Sequence, residues 1–236
     1  MVGDLGRCFM RVWAIARLIA AKDLRVELRS RVLTNQVAPF ALIVMVMFAF
    51  ALDNEGILPR VAPGLVWLAA LFSLLIVASR SFAVETVDGA LDQLRASGVP
   101  MAGVFLGKAL ALMVQLLILV ALVVVSALIL YRAEVTPAGG VLLVTTGITA
   151  TCGLAAIGTL YGGLAAGSRG RETLLPLLLL PVAAPVLIGA TRATEAAFGT
   201  DGLATSEGWP WLGLLVVFAV LFTVAGALAF GPLLDE

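Results

Sequence analysis

The sequence predicts an all-α integral membrane protein with six transmembrane helices. An amphipathic interfacial helix precedes the first span, and a short cytoplasmic helix joins the second span to the third. Of the 236 residues, 61% are hydrophobic and only 13% are charged, with a mean hydropathy of +1.11. Ordinary globular chains are roughly half apolar and about a quarter charged, so lipid is the solvent that fits this composition. Apolar runs of spanning length and one-sided basic residues support the same prediction.

Six apolar stretches are long enough, or nearly so, to cross the core of a bilayer. They occupy residues 37–52, 61–83, 104–130, 138–166, 173–191 and 211–231. The first is short and needs help from flanking residues. The fifth contains Pro176, Pro181 and Pro185, which remove backbone donors, so we expect this helix to be kinked or broken. We expect one membrane domain over 1–236, with 1–36 as the interfacial segment and 37–231 as the six-span bundle.

Lysine and arginine are distributed unevenly over the two sides of this bundle. Twelve lie in the N-terminal segment and in the second and fourth connections, and the other side holds only Arg60, Arg132 and Arg192. Cytoplasmic connections of membrane proteins carry the excess of basic residues. We therefore expect both termini and the second and fourth connections to face the cytoplasm. Charged residues interrupt the first 31 positions, so we expect no cleavable signal peptide.

The segment before the first span has the pattern of an amphipathic helix. Its basic positions share one narrow face: Arg7, Arg11, Lys22, Arg25 and Arg29. Its apolar positions share the other: Phe9, Trp13, Ala16 and Ala20. This pattern is typical of a helix in the inner membrane interface, serving as an anchor or as a partner-binding element. Asp23 and Glu27 interrupt the apolar face, and there we expect the helix to bend or to leave the membrane.

Glycines crowd the fourth span. Gly158 and Gly162 have the GxxxG spacing, and so do Gly163 and Gly167. Small residues at this spacing let helix backbones approach closely. The pattern fits helix packing within one subunit or a subunit interface, and we favour packing within the subunit.

The longest predicted cytoplasmic connection, residues 85–100, has the pattern of a short capped helix. Asp88 suits the N-cap, and Asp92 lies near the positive end of the helix dipole. Gly98 suits the position after the helix, with Pro100 just beyond. Such a helix either docks a soluble partner or folds back on its own membrane domain. Its small apolar face consists of Leu91 and Leu94.

The chain contains no candidate residues for catalysis, for cofactor binding or for metal binding. It has no histidine, and we expect its cysteines, Cys8 and Cys152, to lie at different depths. The spans are almost free of ionisable residues, which argues against an ion-driven secondary transporter. The run from Gly103 to Lys108 superficially resembles a phosphate-binding loop. It has too few residues between its glycines, and Ala109 follows the lysine, so an ATPase must be another chain.

Several motifs together resemble one family of membrane permeases. The pattern Glu85-x-x-x-Gly89-x-Leu91-x-x-Leu94, followed by a proline, is similar to the coupling segment of type-2 ABC exporter permeases. The wider pattern resembles CcmB, the permease of the cytochrome c maturation system, over roughly residues 20–195. The motifs that carry it are Lys22-Asp23-Leu-Arg25, Pro63-Gly64-Leu-Val-Trp67, Arg80-x-Phe82, Asp88-Gly89-Ala-Leu-Asp-Gln-Leu94, Gly158-Thr-Leu and the run from Arg171 to Pro181, whereas Gly107-Lys108 belongs to the coupling-segment pattern.

The resemblance implies a non-catalytic permease subunit in the bacterial cytoplasmic (inner) membrane. A separate CcmA-like ATPase supplies ATP hydrolysis, which is coupled to release of the haem-loaded chaperone CcmE, historically described as haem export. A CcmC-like haem-handling protein, CcmD and a second permease copy are further implied partners, with no nucleic acid. The implied ATPase-coupling residues are Glu85, Asp88, Gly89, Leu91, Asp92, Leu94, Gly98 and Pro100.

Two expectations accompany this resemblance. Because the chain has no histidine, we expect it to hold no haem of its own. The alternative function is that of a type-2 ABC exporter permease for a lipid, a drug or a polysaccharide.

Overall fold

The computed structural model describes residues 2–52, 57–87, 98–131, 135–166 and 171–234. These residues form seven α-helices and contain no strand. A bilayer core has no water to satisfy backbone polar groups, so long apolar runs in lipid become helices. The predicted all-α class is confirmed. The helices are α1 (Val2–Ser30), α2 (Ala38–Ala51), α3 (Leu58–Val87), α4 (Met101–Leu130), α5 (Pro137–Ala166), α6 (Arg171–Phe198) and α7 (Gly208–Leu234).

Six stretches in the described residues are long and apolar enough to cross a membrane, as predicted. The first is longer than α2 because a π-helical turn, Leu33–Val37, precedes α2 and supplies the extra length that the short first span needs. The chain is therefore a multi-pass membrane protein. The six stretches are Leu33–Ala51, Leu58–Phe82, Met101–Leu130, Pro137–Ala165, Leu174–Phe198 and Thr205–Pro232.

The third helix, α3, lies at the centre of the bundle, and α2 and α7 lie at its edge. α3 packs against α4, α5 and α6. In the most apolar part of its span, 67% of the residues are buried, against 17% in the spans that contain α2 and α7. The two edge helices therefore expose most of their surface to lipid.

Helix α6 contains Pro176, Pro181 and Pro185 and nevertheless runs without a break. The sequence predicted a kinked or a broken helix, and the prediction of a broken helix is wrong. Neighbouring helices and local adjustment can satisfy the backbone groups that proline frees, and α6 packs against α3, α5 and α7. The helix also continues past its predicted end, so Arg192 and Glu195 belong to α6 rather than to a loop.

The N-terminal helix α1 is continuous through Asp23 and Glu27, where the sequence predicted a bend or an exit from the membrane. It ends at Ser30, and Arg31 then adopts a left-handed conformation with φ of 53° that turns the chain toward the first span. Glu27 holds this turn, since its Oε1 accepts a hydrogen bond of 2.5 Å from the backbone N–H of Leu33. The carboxylate thus caps the next segment.

Two buried hydrogen bonds join helices at the end of the bundle where α3 begins and α4 finishes. Trp67 Nε1 donates to Thr194 Oγ1 at 2.9 Å, which joins α3 to α6. The hydroxyl of Tyr131, just after α4, donates to the carbonyl of Met45 on α2 at 2.7 Å. These bonds satisfy the polar ends of two large buried side chains.

Candidate functional site

The second connection joins α3 to α4 at one end of the bundle, which we call the basic end. Glu85 lies in the last turn of α3, within the described helix. Gly98 has φ of 68°, the left-handed conformation that glycine adopts without a steric penalty. Pro100 lies directly before α4, and its carbonyl accepts a hydrogen bond of 2.9 Å from the backbone N–H of Gly103. The connection therefore enters α4 through a tight turn.

The central part of the predicted coupling helix lies outside the described residues. The coupling assignment, including that of Glu85, Gly98 and Pro100, therefore stays a prediction. The coupling residues that fall outside the described ranges are Asp88, Gly89, Leu91, Asp92 and Leu94.

Lys108, two turns into α4, is the polar centre of the basic end. Its side chain is only 1% exposed, and its Nζ lies 3.3 Å from Asp23 Oδ2 on α1. The same Nζ donates to the carbonyl of Ser81 on α3 at 3.3 Å and lies 4.7 Å from the centre of the Phe82 ring. Lys108 therefore joins α1, α3 and α4. The sequence interpretation placed it in a cytoplasmic connection, and the structure buries it among helices instead.

Helix α1 packs against α4 through two glycines. A Cβ atom at Gly107 would lie 2.6 Å from Ile19 Cβ and 2.7 Å from the carbonyl oxygen of Ala16. A Cβ atom at Gly103 would lie 3.0 Å from the carbonyl oxygen of Val12. Sequence reasoning missed this contact, although the GxxxG spacing of Gly103 and Gly107 indicates a close approach of some helix to α4.

The buried face of α1 is accordingly different from the predicted one. Ala16 and Ile19 are buried against the bundle, whereas Trp13 is 47% exposed. Helix α1 therefore contributes to the core of the basic end through a face that is shifted from the predicted apolar face.

Three aromatic rings fill the basic end between α3, α4 and α7. The Phe230 ring centre lies 5.4 Å from that of Phe105 and 6.4 Å from that of Phe82. Two glycines of α5 make room for these rings. A Cβ atom at Gly162 would lie 2.8 Å from Phe82 Cδ2, and one at Gly163 would lie 2.6 Å from Phe230 Cε2. The ends of four spans therefore meet in one aromatic cluster, which consists of Phe82, Phe105 and Phe230.

The remaining predicted packing glycines are placed differently. A Cβ atom at Gly158 would lie 2.7 Å from Leu74 Cδ1 and 3.1 Å from Leu112 Cδ2, so this glycine receives side chains from α3 and α4. Gly167 lies outside the described residues. The contacts described for Gly158, Gly162 and Gly163 join α5 to α3, α4 and α7.

The described groups of the basic end hold helices together. They comprise a buried ion pair, glycine contacts and the aromatic cluster. Over the described ranges, no three histidine, cysteine, aspartate or glutamate side chains come close enough to hold a metal ion.

These features define a multi-pass, all-α membrane protein whose N-terminal helix is built into one end of a six-span bundle. The sequence family described as CcmB protein matches residues 13–232. The chain belongs to the CcmB family. The match extends through the last span, which the motif resemblance did not cover.

Several curated relatives have similar length and sequence. The heme exporter protein B of Rhodobacter capsulatus is 34% identical over 191 residues, which cover 80% of this chain and 85% of that protein. The heme exporter protein B of Paracoccus denitrificans is 31% identical over 216 residues, 90% of this chain and 97% of that protein. The heme exporter protein B of Haemophilus influenzae is 31% identical over 218 residues, which cover 89% of this chain and 95% of that protein. These similarities confirm the family resemblance inferred from the motifs.

Proposed function

We propose that this chain is the membrane permease subunit of an ABC transporter complex for cytochrome c maturation. The observation that carries the proposal is the family match over residues 13–232, together with relatives that bear the name heme exporter protein B. The permease itself is not an enzyme in this proposal. A separate CcmA-like subunit binds and hydrolyses ATP, and this chain passes the resulting motion into the membrane.

The motion enters at the connection between α3 and α4, around Glu85 to Pro100. Lys108 contacts Ser81 and Phe82 at the end of α3 and Asp23 on α1. A displacement of the connection is therefore shared among three helices, since their contacts converge on one side chain. Packed helices transmit such displacements because their interfaces have discrete arrangements rather than continuous ones.

The proposed work of this motion is the release of haem-loaded CcmE. Haem is carried by the other components, which include a CcmC-like protein and CcmD, and this chain holds neither haem nor ATP. A second permease copy completes the membrane unit. Both termini face the cytoplasm of a bacterial cell, and the bundle lies in its cytoplasmic membrane, in agreement with the distribution of arginine and lysine.

Deletion of the gene tests this function. Haem staining of membrane fractions and an assay of CcmE-bound haem are the two measurements, and a plasmid-borne copy of the gene is the control. We expect loss of mature c-type cytochromes with haem retained on CcmE. Normal c-type cytochromes in the deletion strain would contradict the proposal and favour an exporter permease for another cargo.

A further inference from the structure

An ion pair joins the start of α3 to the connection between α6 and α7. It lies at the end of the bundle opposite the basic end, which we call the outer end. Arg60, in the first turn of α3, donates from its Nε to Asp201 Oδ1 at 2.5 Å. The two side chains are 63% and 52% exposed, so water and salt weaken their attraction. The pair therefore opposes separation of α3 from the connection only weakly.

The connection that carries Asp201 is tightly folded. Gly199, Asp201 and Gly202 all have left-handed backbones, with φ of 62°, 57° and 78°. The N–H of Gly202 donates to the carbonyl of Gly199 at 3.1 Å, which closes the turn around Asp201. Aspartate tolerates the left-handed conformation better than most residues. The connection therefore holds Asp201 in one position as an acceptor for Arg60.

Pro63 and Gly64 follow the first turn of α3, inside the helix. Proline has no N–H, so the carbonyl of Pro59 loses its usual helical donor, and fewer hydrogen bonds join the first turn to the rest of α3. Gly64 does not have a left-handed backbone, and an added Cβ would meet no atom within 4 Å, so neither φ nor packing requires glycine there. What glycine still provides is conformational freedom. Proline and glycine are also the usual causes of bends in helices.

The body of α3 beyond these two residues is fixed to α6. Trp67, one turn after Pro63, is 2% exposed, and its Nε1 donates to Thr194 Oγ1 at 2.9 Å. Beside Gly64, a cavity of about 350 Å³ lies between α3 and α6, and Leu187 lines it on the α6 side. The helix is therefore held firmly on one side of Gly64 and has open space at Gly64 itself.

We propose that the first turn of α3, residues 58–62, is a hinged segment that opens at the outer end. The ion pair of Arg60 with Asp201 is its latch, and Pro63 with Gly64 is its hinge. When the latch breaks, the segment swings away from the connection between α6 and α7, while the buried hydrogen bond to α6 keeps the body of α3 in place. Use of this segment to carry ATP-driven motion to the outer face rests on the proposed function, whereas the latch and the hinge belong to the fold alone.

The test measures how readily the segment opens in the full-length permease, purified and placed in nanodiscs. Cys8 and Cys152 are replaced by serine, and Ala62→Cys then supplies a single thiol. Ala62 is 0% exposed and lies between the latch and the hinge, so the rate at which this thiol reacts with N-ethylmaleimide reports opening. Ala193→Cys, on α6 and equally buried, is the matched control, because opening of the segment leaves its rate unchanged.

Breaking the latch should accelerate the reaction. Arg60→Gln and Asp201→Asn should each raise the labelling rate of the Ala62→Cys thiol about two- to fivefold, the range that loss of an exposed ion pair gives. Asparagine also adopts the left-handed conformation, so the second variant changes charge alone. Added salt should raise the rate in the parent protein and in neither variant, since it screens the pair. Rates that neither substitution changes would overturn the latch, and so would an equal increase at Ala193→Cys, which means general unfolding.

Stiffening the hinge should slow the reaction. Gly64→Ala should lower the labelling rate about two- to fivefold, because alanine favours the helical conformation over the open one. Gly213→Ala on α7 is the matched control and should leave the rate unchanged, since an added Cβ meets no atom within 4 Å there either. An unchanged rate in Gly64→Ala would overturn the hinge.

A second readout covers failure of Ala62→Cys to fold. Hydrogen exchange of the peptide that covers residues 58–66 needs no added cysteine, and the same substitutions should change its rate in the same directions. Both readouts use the permease without the ATPase and without a cytochrome assay. Normal c-type cytochromes in a deletion strain would therefore contradict the proposed function and leave the latch and the hinge to be decided by these rates.

Discussion

Lys108 on α4 and Asp23 on α1 form an ion pair at the basic end, with 3.3 Å between Nζ and Oδ2 and with the two side chains 1% and 13% exposed. The pair makes the N-terminal helix a packed part of the bundle. A helix that only rests on the membrane surface needs no such partner, because its basic face is satisfied by lipid and water. Four predictions follow from the contacts at the basic end and from the connection between α3 and α4.

Replacing Lys108 by methionine should destabilise the permease by about 3 kcal/mol. Removing one partner of a buried ion pair leaves the other charge less well compensated, and here Asp23 loses the buried one of its two described cations and keeps Lys22, at 3.0 Å. Unfolding in a titration with SDS, followed by circular dichroism, measures the loss.

The control is the double variant Lys108→Met with Asp23→Leu. Removing both charges at once should restore part of the lost stability, because no carboxylate is then left without its buried cation. A double variant less stable than Lys108→Met would refute a dominant role for the pair.

Gly107→Val should separate α1 from α4. The new side chain would meet Ile19 and the Ala16 backbone at distances shorter than real Cβ contacts, and overpacking of this kind costs about 1–3 kcal/mol. We expect faster tryptic cleavage within α1, whose Arg11 and Arg17 are exposed. Gly213→Val is the matched control, since no atom lies within 4 Å of a Cβ at Gly213. Equal cleavage rates in the two variants would contradict the packing of α1 on α4.

Phe230→Ala should cost about 3–5 kcal/mol of unfolding free energy, because it empties the centre of the aromatic cluster. The Phe230 side chain is 1% exposed, whereas Phe50 is 83% exposed and faces lipid. Phe50→Ala is therefore the control, with a much smaller expected effect in the same SDS titration. A similar loss in both variants would show that the cluster adds nothing beyond the apolar character of its residues.

Glu85→Lys and Gly89→Trp should each weaken co-purification of the ATPase subunit while the permease still inserts into the membrane. The first reverses a charge at the end of α3, and the second adds a bulky ring to the connection. Affinity purification through a tag on the permease, followed by an ATPase assay, measures the effect. Glu195→Lys on α6, near the opposite end of the bundle, is the matched control. Undiminished recovery of an active ATPase in both connection variants would remove the coupling assignment.

The six spans could be predicted from the sequence because lipid imposes a length and a composition on any chain that crosses it. The first span illustrates the limit of this reasoning. Its apolar run is short, and the structure lengthens it with the polar-containing turn Leu33–Val37. Hydropathy alone therefore identified the first span correctly, but it placed the start of that span four residues too late.

The tertiary pairing at the basic end could not be predicted in the same way. Lys108 has the sequence context of an exposed basic residue, and only the position of α1 decides that it is buried beside Asp23. Gly103 and Gly107 carried a usable signal, but a glycine pair does not identify its partner helix. The partner of each residue depends on contacts between residues far apart in the chain, which local patterns do not encode.

The contrast between the central helix α3 and the edge helices has a consequence for how the sequence varies among homologous chains. Lipid is a fluid that conforms to any apolar shape, so the exposed positions of α7, unlike the buried Phe230, can exchange leucine, valine and phenylalanine with little penalty. Leu74 and Phe82 on α3 pack against protein side chains in fixed positions, which accept only a narrow range of side-chain shapes. Among homologous chains, we expect side-chain volume to vary freely at the exposed positions of α7 and to stay nearly fixed at the buried positions of α3 and at Phe230, at equal hydrophobicity in all of them.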